Sequence, residues 1–189
     1  MDSQRLHKYP CTHEGLRAAE MSVQRHLRVN MTLCFSQDQA AAVYAATRGS
    51  SKPVYVSPFI GRLDDHGEDG MDILRNIKRM YRAGDGHVHV LAASIRSVEH
   101  LLAAFSIGVE LATVPAKVLA EWATRSFPMP DQAFHHKAVD ANGKALREIP
   151  YKELNLTLPW RNFDIKHQLT DAGIRKFVAD YRSTLKHSA

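Results

Sequence analysis

Short apolar runs alternate with stretches of helical periodicity along most of the chain. VNMTLCFS (29–36), VYVSPFI (54–60), HVHVLAAS (87–94) and ELATVP (110–115) are rich in β-branched and aromatic residues and predict strands. The Ala-rich QDQAAAVYAAT (37–47) predicts a helix, and so do the apolar spacings of Ile73, Ile77, Met80 and Tyr81 and of Val98, Leu101, Leu102 and Phe105. Ser97 is placed to cap the latter, and KVLAEWA (117–123) predicts one more helix. RGSSKP (48–53) and GRLDDHGEDG (61–70) read as turns. Near the N-terminus, RLHKYP (5–10) predicts a stub strand and THEGLRAAEMSVQRHL (12–27) a helix with Thr12 as its N-cap.

That rhythm amounts to about five βα units of roughly 25 residues each, which predicts parallel strands joined by crossover helices. The fold class is therefore α/β. Five units are too few to close an eight-stranded barrel, which takes ~250 residues. Periodicity alone leaves an open doubly wound sheet as the alternative, although the Gly-rich phosphate loop expected after its first strand is missing. Residues 126–163 carry four of the eight prolines and no firm periodicity. A last helix is expected from Thr170 to Leu185, with Ile174, Phe177, Val178, Tyr181 and Leu185 on one face. The organisation expected is thus a βα part, 1–125, and a C-terminal extension, 126–189, packed on the same domain.

Composition narrows the classes. With 44% apolar and 24% charged residues in 189, the chain has the profile of one soluble globular domain. No run of ~18 apolar residues predicts a membrane span, and MDSQRLHKYP lacks the apolar core of a signal peptide, so a cytoplasmic protein is expected. Cys11 and Cys34 are too few for a disulfide framework and read as buried thiols. The net charge of +5 comes from scattered basic residues without a block or aromatic interleaving, so no nucleic-acid partner is expected. A diffuse positive field suits small anionic ligands. The eleven histidines, among them His87, His89, His135 and His136, form no ligand spacing with Cys or carboxylates, and no metal is expected.

Candidate chemistry sits where polar groups interrupt strands. Asn30 and Thr32 lie two apart and so share one face of their strand. Two hydrogen-bonded core residues are the bland account of them. SPFIGR (57–62) and ASIR (93–96) each put a serine near a strand's C-terminal end and an arginine just beyond, where ligands bind in parallel α/β folds. The guanidinium fork matches phosphate oxygens, so Arg62 and Arg96, with Ser94 assisting, are a candidate anion site; surface arginines are the default for either alone. Lys8, at the end of the stub strand, is a candidate nucleophile toward a ketone. A reactive amine must be uncharged, which burial and nearby positive groups favour. A solvated lysine near a chain end is the ordinary alternative.

Together these segments resemble the transaldolase family, class I aldolase relatives with the TIM-barrel fold. HKYPCTHEG (7–15) keeps the Lys, Pro, Thr, Glu and Gly of a motif of the form V-K-I-P-x-T-x-E-G. VNMTLCFS is similar to V-N-x-T-L-x-F-S, SPFIGRLDD (57–65) to S-P-F-V-G-R-I-D-D, ASIRSVEH (93–100) to A-S-F-R-N-x-E-H, and TVPAKVL (113–119) to T-V-P-x-K-V-L. The likeness extends into the tail and covers nearly all of residues 7–186, with the motifs in the family's order. It implies a partial (β/α) TIM-type barrel, strands four to eight of the family barrel, with a C-terminal helical extension. It implies Lys8 as the Schiff-base residue and Thr32 as a group positioning a catalytic water. Asn30, Ser57, Arg62, Ser94 and Arg96 are implied to bind substrate hydroxyls and phosphate.

The reaction implied moves a dihydroxyacetone unit from a ketose phosphate such as fructose 6-phosphate to an aldose phosphate such as erythrose 4-phosphate, with no cofactor. In the family, three strands precede the lysine strand and supply an Asp, an Asn and a Glu; here seven residues precede Lys8. The chain is therefore expected to be nearly inactive alone and to expose unpaired strand edges through which it could form homo-oligomers. A non-catalytic relative that binds a sugar phosphate or a protein partner is the second reading.

Overall fold

The three central strands are short runs whose alternate residues face opposite ways, and one face of them is apolar throughout. Val29, Met31, Val54, Val56, Val88 and Val90 fall on that face, are buried, and form the centre of the core beneath the helices. In the computed structural model, which describes residues 5–186, these runs are β2 (Arg28–Cys34), β3 (Val54–Pro58) and β4 (Val88–Ala92). They are flanked by β1 (Leu6–Pro10) and β5 (Leu111–Ala112). All pairings are parallel and the order is β1-β2-β3-β4-β5. Strands follow one another without the reversal that defines a doubly wound sheet. That order is consistent with part of a TIM-type barrel, and among the described residues the sheet is open, with no strand joining β5 to β1. Residues 1–4 and 187–189, the outer ends of the two expected segments, lie outside the described residues.

Helices α1 (His13–Val23), α2 (Gln37–Ala46), α4 (Gly70–Tyr81) and α5 (Val98–Ile107) begin where a side-chain oxygen accepts a backbone N–H of the first turn. Thr12 accepts from Gly15, Ser36 from Gln39, Asp69 from Met71, and Ser97 from His100. α5 ends at Gly108, whose φ of +74° is left-handed. α6 (Ala116–Thr124) follows β5, a 3-10 turn spans Trp160–Asn162, and α7 (Gln168–Lys186) closes the described chain.

Three features depart from the expectations. The stretch 61–70 is not all turn: Ile60–Asp64 form a short helix, α3, because Ile60 and Leu63 are drawn into the core. The stub strand forms as expected, with all five residues of β1 in register with β2. By contrast, the predicted 110–115 strand shrinks to two residues, paired with Leu91 and Ala92 of β4. Finally, the apolar stripe of α7 is largely exposed.

The tail is fastened by side chains rather than by secondary structure. Gln39, wholly buried, donates to the carbonyls of Cys11 (3.3 Å) and Ile165 (3.0 Å) and to Thr170 Oγ1 (2.8 Å), while its carbonyl accepts the Phe35 N–H (2.7 Å). Gln37 exchanges two hydrogen bonds with the backbone of Lys152, and Asn76 donates to the carbonyl of Ile149. Gly173 lets α7 lie directly on Leu33, since a Cβ there would overlap the leucine's methyl groups. Among the described residues, no helix is long and apolar enough to cross a membrane.

Candidate functional site at the C-terminal rim of the sheet

The face of the sheet opposite the valines is polar. Register places Lys8 opposite Asn30, Asn30 opposite Tyr55, and Tyr55 opposite His89, one residue from each of four adjacent strands. Two residues further toward the strands' C-terminal ends, Thr32 and Ser57 occupy the same face. Ser57 Oγ donates to Asn30 Oδ1 at 2.7 Å, and both residues are buried, at 1% and 5% exposure. Thr32 is as buried as Asn30, yet its Oγ1 has no hydrogen-bond partner among the described residues. A buried hydroxyl without a partner is a natural seat for a water or a ligand oxygen.

Backbone geometry is unusual along this rim. Leu33 has a φ of +56° where the β2–β3 register shifts, and Ser94 a φ of +62° just past β4. Such conformations are held by their surroundings and gather at functional sites. Arg62 lies within α3 and is half-buried. Arg96 is exposed and donates to Asp65 at 2.8 Å, with both side chains about half exposed, so that ion pair is weakly held. A cavity of about 970 Å³ opens beside Arg96, bounded by Asp64, Asp65, Ser97, His100 and the 134–142 loop. Within that loop, burial pushes the His136 imidazole below its ordinary pKa.

The structure thus brings Lys8, Asn30, Thr32 and Ser57 to one face, and Arg62, Ser94 and Arg96 to the adjoining turns. It does not enclose the lysine. Lys8 is exposed, because β1 is an edge strand and no described residue forms a wall beyond it. The turns bearing Arg62 and Arg96 follow strands two and three places from β1, about 10 and 14 Å across the sheet. At such distances solvent and salt screen a guanidinium's field at an exposed amine. The burial expected around Lys8 is absent from this open sheet. Tyr55 was not singled out from the sequence and His89 was weighed only as a metal ligand; their alternation with Ser57 and Leu91 was the signal available.

The molecule is therefore an α/β protein whose ligand-type groups gather at the C-terminal ends of parallel strands. The family model described as transaldolase/fructose-6-phosphate aldolase matches residues 3–188. A probable transaldolase of Maricaulis maris is 34% identical over 177 residues, covering 94% of this chain and 60% of the relative. One of Chelativorans sp. is 36% identical over 177 residues, 94% of this chain and 60% of the relative. Another, of Anaeromyxobacter dehalogenans, is 34% identical over 184 residues, 97% of this chain and 63% of the relative. The chain belongs to the transaldolase/fructose-6-phosphate aldolase family. It spans about three fifths of the length of the curated relatives it matches.

Proposed function

We propose that this chain carries the Schiff-base half of a transaldolase-type site, which transfers a dihydroxyacetone unit between sugar phosphates. Lys8 Nζ attacks the ketone carbon of a ketose phosphate such as fructose 6-phosphate, and loss of water leaves an iminium. That cation draws in the electron pair of the C3–C4 bond as the bond breaks, an aldose phosphate departs, and an enamine remains. The enamine then attacks the aldehyde carbon of an acceptor such as erythrose 4-phosphate, and water releases the product and regenerates the amine. Thr32 positions that water, Asn30 and Ser57 hold substrate hydroxyls, and Arg62, Ser94 and Arg96 take the phosphate. On this reading the reaction belongs to the pentose phosphate pathway in the cytoplasm.

The observation that carries the proposal is Lys8 in register with Asn30, which accepts the Ser57 hydroxyl on the same face, beside a Thr32 hydroxyl with no partner among the described residues. Exposure of Lys8 argues that the 189-residue polypeptide turns over poorly by itself, since water reaches the enamine. The same exposure favours the second reading, a family member that binds sugar phosphates without catalysis. Borohydride reduction in the presence of fructose 6-phosphate, followed by peptide mass mapping, separates the two. A reduced adduct on Lys8, absent from Lys8→Met, is the expected result. Failure to trap any adduct at that residue leaves only the binding reading.

A further inference from the structure

Arg62 and Arg96 sit on different turns, and something must fix one relative to the other before they can grip a single anion. The two turns are first joined by backbone: the N–H groups of Ile60 and Gly61 donate to the carbonyls of Ala93 and Ser94 at 3.0 and 3.1 Å. Gly61 permits this approach, because a Cβ there would overlap both the Ser94 carbonyl and the Arg96 side chain. Asp64, the last residue of α3, then reaches across to α5. One carboxylate oxygen accepts the Gly70 N–H at 2.8 Å, and the other meets His100 Nε2 at 2.8 Å. Both side chains are nearly buried, at 11% and 10% exposure. The opposite ring nitrogen, His100 Nδ1, lies 3.4 Å from the backbone N–H of Arg96 and accepts it. A continuous chain of hydrogen bonds therefore runs from the helix bearing Arg62, through carboxylate and imidazole, to the peptide bearing Arg96.

We propose that Asp64 and His100 are positioning residues that lock the Ser94–Arg96 turn onto α3 and so set the spacing of the two guanidiniums for a phosphate-sized anion. The inference rests on the reading that Arg62 and Arg96 bind the substrate's phosphate. Neither positioning group touches the anion. With Nε2 donating to the carboxylate, Nδ1 is left as an acceptor, and only in that tautomer does the ring hold the Arg96 peptide. The exposed Arg96–Asp65 pair is too loosely held to fix the turn alone, and an arriving anion competes for that guanidinium. A buried carboxylate–imidazole hydrogen bond is weak evidence for stability in itself, whereas a rim that must hold two arginines in register has a use for one.

The test is a titration of the full chain with inorganic phosphate, followed through the backbone amide resonances of Arg62, Ser94 and Arg96. In the parent protein all three should shift together with one dissociation constant. His100→Ala and Asp64→Asn should weaken phosphate binding by ~10-fold, the scale of loss expected when a binding group is no longer preorganised. His100→Gln, whose amide can still donate to Asp64, should recover most of it. Leu101→Ala, a core substitution next door, should lower the unfolding midpoint without that loss. If His100→Ala does not fold, His100→Asn takes its place. Unchanged phosphate affinity in the His100 and Asp64 variants overturns the proposal, as does a parent protein whose amides do not respond, or a Leu101→Ala that loses phosphate equally. Trapping of unphosphorylated dihydroxyacetone on Lys8 reports separately: it should match in parent and His100→Ala, and its absence from both removes the Schiff-base reading but not the clamp.

Discussion

Helices α4 and α7 both carry apolar stripes and meet opposite fates. In α4, Ile73, Leu74 and Ile77 are completely buried, between the sheet and its neighbours. In α7, Phe177, Val178, Tyr181 and Leu185 are 42–65% exposed, although Thr170 and Gly173 anchor the same helix to Leu33. The contrast holds for the wider regions. From β1 to α5 the valine face of the sheet is covered by helices, whereas beyond Gly108 few side chains are buried, among them Val118, Trp160, Phe163, Ile165 and Leu169. A stripe states which way a helix would face, and only the presence of a partner surface turns it into stabilisation.

The comparison can be broken at its joint. Gln39→Ala should have the largest effect, on the order of 4 kcal/mol, because it strands several buried donors and acceptors that link Phe35 and Cys11 to Ile165 and Thr170. Urea denaturation measures this, and a loss under 1 kcal/mol would refute the joint. Next, Ile77→Ala in α4 should cost about 3 kcal/mol through lost burial and a residual cavity. Tyr181→Ser on α7 should stay within ~0.5 kcal/mol, as befits an exposed position. Equal losses at residues 77 and 181 would mean that α7 is covered in solution.

The smallest effect concerns pH, at the opposite end of the sheet. Burial works against the Asp85 carboxylate, but the His87 ring and N–H and the Tyr44 hydroxyl outweigh it and hold the group down at about 2. An ordinary carboxyl in the unfolded chain titrates near 3.9. A depressed folded value contributes stability in full above about 4, and that contribution disappears as the pH falls toward 2. Asp85→Asn should therefore be less stable than the parent at pH 6, and the gap should close by pH 2. Since the side chain is half exposed, the gap is small. A gap that widens on acidification would reverse the sign and exclude this account.

Much of the architecture was legible because local rules carry it. Thr12 and Ser97 cap helices as their positions imply, and the strand–helix rhythm survives as five parallel strands in sequence order. The short helix α3 was hidden because Gly61 and the two aspartates Asp64 and Asp65 read as turn residues, while burial of Ile60 and Leu63 outweighs that propensity. At the site, the alternation Asn30, Thr32 made their shared face readable. The bonds from Ser57 to Asn30 and from Asp64 to His100 were not, since they join residues 27 and 36 positions apart.

By itself, the sequence determined the class of fold, the motifs that mark the family and the face on which the polar residues of each strand lie. These follow from side-chain periodicity and from residue types whose chemistry is local. The tertiary structure alone decided that, among the described residues, Lys8 stands on an open edge, Thr32 keeps a buried hydroxyl without a partner, and α7 presents its apolar stripe outward. Burial is a property of what lies across from a residue, and the distance along the chain to that neighbour is invisible to any periodicity.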